Sequence, residues 1–266
     1  MQPDNLADAN AKAAPVHRVL SALLAAGFAL EIVNVCAPLK FSGWLEAVLL
    51  LLAMVNTISA LSRQLPLQNV LLAAFGIALI GGGVSLAGAK TGIPFGPVTY
   101  EIAPEFYKMP WAMPFLWVAV VLNSRGVARL VLRPWRKVRV YGFWLIGFTA
   151  AFTVAFDFAL ESFARVKHLW LWMAAGVPVA WQGAPASNFV AWAAVTLLIL
   201  AFVTPALINK QLSKRSTPDF HPLLLWLGAI LVFAVACAVQ KLWLAAAVDA
   251  AIGVVIAAFA VRGAKW

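Results

Sequence analysis

Asp157 and Glu161, four residues apart in FDFALES within an apolar run, are the pair best suited to chemistry in this sequence. Four residues make about one helical turn, so both side chains project from one face. A charge inside hydrocarbon costs at least ~2.5 kcal/mol at a helix centre, so each intramembrane carboxylate needs a reason to be there. Two carboxyl groups this close compete to ionise, which keeps one of them protonated near neutral pH, and that makes a general acid. A structural hydrogen-bond cluster would use the same two residues, and Glu161 could instead pair with Arg165 at the interface. Glu101 and Glu105 are weaker candidates, as gate residues or as solvated loop carboxylates. Glu31 and Asp249 also lie in apolar runs, and Glu46 near an interface; all three rank below Asp157.

Of the twelve tryptophans, most fit interfacial belts, but Trp170, Trp172, Trp181 and Trp192 cluster around one irregular segment. Aromatic faces there could line a lipid-like tunnel and stabilise a carbocation, worth ~2 kcal/mol or more when desolvated. Other chemistries lose support. His17, His168 and His221 are too few and too scattered for a histidine-ligated di-iron site, and Cys36 and Cys237 have no metal or disulfide spacing. There is no Walker motif and no DDxxD pair for diphosphate through magnesium, and the glycine run GGGVSLAG reads as close helix packing.

The elements that must position these residues are membrane helices. Of 266 residues, 64% are hydrophobic and 11% charged, whereas a soluble domain is about half apolar and a quarter charged. Apolar runs fall near 18–37, 43–62, 68–88, 109–128, 141–160, 188–208, 222–239 and 242–260. The expected fold is therefore all-α, a polytopic helical bundle of about eight transmembrane helices. The fourth run is the weakest, since Pro114 lies within it and Arg125 and Arg129 crowd its end. A polar cytoplasmic tail (1–16), one transmembrane domain (17–262) and a cytoplasmic end (263–266) complete the expected organisation, with the first run an uncleaved signal anchor.

The net charge of +10 sits in loops, where it sets topology rather than binding nucleic acid. Fourteen of the twenty Lys and Arg fall on one side if eight spans are assumed. That side becomes the cytoplasm, holding both termini and the anchor Arg125, Arg129, Arg133, Arg136, Lys137 and Arg139, in a multi-pass protein of a bacterial inner membrane. Segments 89–110 and 161–187 then lie on the non-cytoplasmic side. Both mix Pro, Gly, aromatics and carboxylates, and irregular backbone at membrane depth survives only where protein buries it or it lines a cavity.

Five motifs in series, TGIPFGPVTY (91–100), MPWAMPFLW (109–117), FDFALES (156–162), HLWLW (168–172) and GAPASNFVAW (183–192), resemble the membrane-bound carotenoid biosynthesis protein family. The resemblance covers residues 70 to 210 in order and spacing. That family includes hydratases of the γ-carotene 1′-hydratase and bisanhydrobacterioruberin hydratase type, which add water to the terminal double bond of acyclic carotenoid ends. Three features depart from its pattern: Ser85 replaces an acid six residues before Thr91, Asp157-Phe158 with Glu161-Ser162 stands for DLxxDP, and Ala191-Trp192 for GW.

The resemblance implies a carbon–oxygen lyase that needs no cofactor or metal and takes a carotenoid or other isoprenoid from the bilayer. In that role Asp157 donates the proton and Glu161 tunes it or positions water, so these two are the catalytic pair. Thr91, Tyr100 and Asn188 are candidates to hold the water, Trp172 and Trp192 to face the cation, and Pro94, Phe95 and Glu101 to complete the substrate site. Association with other carotenoid enzymes is a further expectation. The alternatives are a non-catalytic scaffold of a pigment pathway and a lipid or small-molecule transporter, against which stand the absence of repeated halves and of paired broken helices.

Overall fold

The computed structural model describes residues 3–37, 44–101, 105–173, 178–208 and 218–266. Eight helices there are long and apolar enough to cross a membrane: α1 (Pro3–Cys36), α2 (Trp44–Ser62), α3 (Leu67–Thr91), α4 (Met113–Val131), α5 (Tyr141–Lys167), α6 (Ala186–Val203), α7 (His221–Val239) and α8 (Trp243–Ala264). The chain is thus a multi-pass helical bundle. Between α3 and α4 come three short strands, β1 (Val98–Tyr100), β2 (Glu105–Phe106) and β3 (Met109–Pro110). Between α5 and α6 come β4 (Trp170–Trp172), β5 (Val179–Trp181) and β6 (Ala184–Pro185). Each strand pairs antiparallel with one partner, β1 with β4, β2 with β3 and β5 with β6.

The helix limits differ from the apolar runs in instructive places. The fourth run begins four residues later as a helix, because Met109 and Pro110 belong to a hairpin and Pro114 sits in the first turn of α4. Proline fits there, since its missing N–H falls among donors that have no intrahelical partner. The least apolar of the eight spans is also the most enclosed. In α4, 78% of the membrane-length window is buried against 22% in α1 and 28% in α8, and α4 packs on α2, α3, α5, α7 and α8. A helix surrounded by protein does not need a lipid-compatible surface, which explains how it carries Asn123, Ser124 and Arg125 buried.

α5 also continues past its apolar run, through Glu161 to Lys167. His168, with φ of 52°, ends it in a left-handed conformation, its N–H accepted by the Ala164 and Arg165 carbonyls. The two irregular segments therefore start at Gly92 and His168, at one end of the bundle, called here the sheet end. The opposite, arginine end carries Arg133, Arg136, Lys137 and Arg139 around a short 3-10 turn (Arg133–Trp135). The glycine run packs as its composition suggests: a methyl group on Gly81 would overlap the Trp117 ring and one on Gly82 would press Pro114, so α3 and α4 approach closely there.

Candidate active site

The register of the β1–β4 pair does the positioning at the sheet end. Val98 faces Trp172, Thr99 faces Leu171 and Tyr100 faces Trp170 across the ladder. Side chains alternate along a strand, so Val98, Tyr100, Trp170 and Trp172 share the face that closes over the bundle, while Thr99 and Leu171 are exposed. Gly96, at φ of 119°, lets the chain turn into β1 where a methyl group would meet Pro185 Cγ at 2.8 Å and Trp172 at 3.5 Å.

Beneath that face lies a cavity of about 30 Å³. Asp157 and Glu161 reach it from α5, Asn188 and Trp192 from α6, and Ser85 from α3. Asn188 Nδ2 donates to Asp157 Oδ2 at 2.8 Å and to Glu161 Oε1 at 3.1 Å. An amide nitrogen has two hydrogens, so this one spends both on the carboxyl pair. Glu161 Oε2 accepts the indole N–H of Trp170 at 3.0 Å and of Trp172 at 2.9 Å. Both carboxyls are almost fully buried, at 1% for Asp157 and 3% for Glu161. Among the described residues neither forms an ion pair, and Asp157 Oδ1 has no hydrogen-bond partner.

Two ionised carboxylates around one neutral amide, with no cation, would be a costly arrangement away from water. A single proton shared between the two carboxyls would remove one of those charges. Tyr100, outside the spans, adds a donor that stays a phenol: burial pushes its pKa well above the usual tyrosine value, and the nearby Glu161 and Asp157 push it further. Its ring stands edge-on to Trp170, 6.1 Å between centroids. On the opposite wall Trp192 stacks on Trp117 at 3.9 Å, and Trp117 Nε1 donates to Ser85 Oγ at 2.8 Å. Ser85, at the position where the family pattern carries an acid, is thus an acceptor for an indole.

Of the residues singled out from the sequence, Asp157, Glu161, Phe95, Tyr100, Trp172, Asn188 and Trp192 line the cavity together. Thr91, Pro94 and Glu101 do not: all three are exposed. The Thr91 hydroxyl instead closes the turn after α3, donating to Ala87 O at 2.8 Å and accepting from Ile93 N at 3.1 Å. Arg165 turns to Gln182 Oε1 at 2.9 Å rather than to Glu161. The side chain of Glu105 lies outside the described residues. Trp170, which the sequence marks only as one of a tryptophan cluster, also lines the cavity, and its spacing of two from Trp172 on a strand is the signal that puts both indoles on one face.

The remaining membrane carboxylates have other neighbours. Glu31 and Glu46 both hold Lys167 Nζ, each at 2.9 Å, and Asp249 lies 3.8 Å from Cys237 Sγ. Among the described residues no three His, Cys, Asp or Glu side chains gather to hold a metal ion. A family model described as carotenoid biosynthesis protein matches residues 45–256. Comparison with curated proteins and with solved structures gave no match.

Proposed function

Since the chain belongs to the carotenoid biosynthesis protein family, which its match over residues 45–256 establishes, we propose that it hydrates the terminal isopropylidene double bond of an acyclic carotenoid end. The observation that supports this most directly is the Asn188 amide bridging Asp157 and Glu161 beside a cavity of about 30 Å³. A water needs about 10–15 Å³ of such space, so the cavity can take the second reactant beside the acid.

In this reaction Asp157 gives its proton to the less substituted alkene carbon. The π electrons form the new C–H bond and leave a tertiary cation on the carbon bearing two methyl groups. Two methylenes separate this bond from the polyene, which therefore cannot delocalise the charge, so the protein must stabilise it. The indole faces of Trp172 and Trp192 supply that stabilisation. Water oxygen bonds to the cation, and its excess proton returns to the Asp157 carboxylate, directly or through Glu161. The balance consumes one water, regenerates the acid and draws on no cofactor. Glu161, held by two indole donors and the Asn188 amide, keeps the pair in one geometry between protonation states.

Mass spectrometry of pigments from lycopene- or γ-carotene-producing cells that carry the protein tests the reading. A product heavier by one water, lost in Asp157→Asn, supports it. Unchanged pigments with well-inserted protein overturn hydration of these substrates.

A further inference from the structure

A second, larger cavity of about 120 Å³ lies between α1, α2, α4, α5 and α7. Met113, Leu116 and Trp170 line both it and the carboxyl cavity, so one layer of side chains separates the two. Elsewhere its walls are almost wholly apolar, with Ala119, Phe156, Phe163, Trp226 and Ala229 among them. Its polar groups are few and partly engaged, since Glu46 Oε2, Asn123 Oδ1 and Trp226 Nε1 are buried with no hydrogen-bond partner among the described residues. Glu31 and Glu46 hold Lys167, and Asn123 Nδ2 donates to Thr57 Oγ1 and Ala119 O, both at 2.7 Å.

Size makes the relation between the cavities informative. About 30 Å³ beside Asp157 admits a water, but not a water together with a branched five-carbon end. A dry cavity of roughly 150 Å³ takes a benzene ring, so about 120 Å³ suits one isoprene-sized unit. On the α1–α2 side Phe28, Leu49 and Leu50 are only half-buried, giving the cavity a boundary with the lipid-facing surface. In the shared wall Met113 is an unbranched side chain that adapts to its neighbours, whereas Trp170 is fixed by its bond to Glu161.

We propose that this larger cavity binds the one isoprene unit next to the reacting end of the substrate, and that the end reaches the carboxyl pair past Met113 and Leu116, alongside Trp170, where Met113 yields. The inference rests on the isoprenoid reading given above for the substrate. The chemistry recognised is a linear, methyl-branched hydrocarbon; a phospholipid acyl chain shares most of it and is the competing occupant.

The test uses the full chain in phospholipid nanodiscs, titrated with lycopene and read by induced circular dichroism in the polyene band, which lycopene merely dissolved in the bilayer does not give. Ala119→Phe and Ala229→Phe fill the cavity from two different helices, and thermal melting identifies the variants that fold. The expected result is a titratable signal in the unsubstituted protein and binding at least tenfold weaker in the folded variants. Unchanged binding in a folded variant, or no induced signal in the unsubstituted protein because acyl chains hold the cavity, overturns the proposal. Binding that the filled variants lose, without any tertiary alcohol formed, supports the cavity while refuting hydration. Alcohol formed at undiminished kcat/KM by both variants refutes the cavity and leaves hydration standing.

Discussion

The Asn188 amide stands 2.8 Å from Asp157 Oδ2, a bond between α6 and α5 made where Asn188 is 2% and Asp157 1% exposed. Because the same nitrogen serves Glu161, Asn188→Leu strips a donor from both carboxyls at once. An orphaned buried acceptor costs about 1–3 kcal/mol, so the variant is expected to lower the melting temperature in detergent and hydration by at least tenfold. Asp157→Asn keeps the shape and removes the acid. Its expected loss is about 10²- to 10⁴-fold, the usual worth of a positioned general acid, with little change in melting. Comparable turnover in Asp157→Asn and the unsubstituted protein would rule out Asp157 as the proton donor.

Trp170 and Trp172 share one acceptor, Glu161 Oε2, and this sharing predicts non-additivity. Trp172→Phe keeps most of the ring and leaves the Trp170 bond, so stability should fall by no more than about 1.5 kcal/mol. Trp170→Phe should behave alike. With both replaced, Oε2 loses every donor it has among the described residues, and the double variant should cost more than the sum of the singles. A double-mutant cycle on unfolding free energy measures the excess directly; strict additivity would mean that the two indoles do not share the load.

Among the described residues, Lys167 is the one cation that pairs with Glu31 and Glu46, whose side chains are 2% and 8% exposed. Removing one partner of a buried ion pair costs about 3–5 kcal/mol in general, and the 17% exposure of Lys167 moves the expectation towards the low end. Lys167→Met should therefore loosen α1 and α2 from α5 and lower the melting temperature clearly. Adding Glu31→Gln and Glu46→Gln should recover much of the loss, since no uncompensated charge then stays buried. A triple variant no more stable than Lys167→Met would show that the charges matter less than the lysine's packing.

What the sequence revealed and what it hid follow from the range of the interactions involved. The eight spans were legible because apolar length is a local property, and Asp157 with Glu161 because one helical turn relates them. The end of α5 was not, as Glu161, Arg165 and Lys167 interrupt the apolar run, while the helix persists through partners on other segments: Trp170, Trp172, Gln182, Glu31 and Glu46. Asn188 was legible as a polar residue beside the site, but not as the bridge between two acids, because that depends on how α6 packs on α5. The lysine between Glu31 and Glu46 needs three helices to meet. Within one motif the structure separates neighbours that the sequence groups together: Thr91 closes a turn and Glu101 lies at the surface, while Phe95 and Tyr100 enter the cavity.

Orientation in the membrane is the last prediction, and the placement of charge carries it. The arginine end holds Arg129, Arg133, Arg136, Lys137 and Arg139, and the positive-inside rule assigns such an end to the cytoplasm. The sheet end, with β1, β4 and both cavities near it, then opens on the opposite side. Pro97 is exposed there, and its carbonyl accepts Met173 N at 2.9 Å, so a cysteine in its place is reachable and its backbone bond is kept. In a Cys36→Ser background, which removes the exposed native thiol, Pro97→Cys should react with a membrane-impermeant maleimide on intact spheroplasts. Lys137→Cys should react only after permeabilisation. The opposite pattern would invert the topology and make the carboxyl cavity face the cytoplasm, from which any water for the reaction would then have to come.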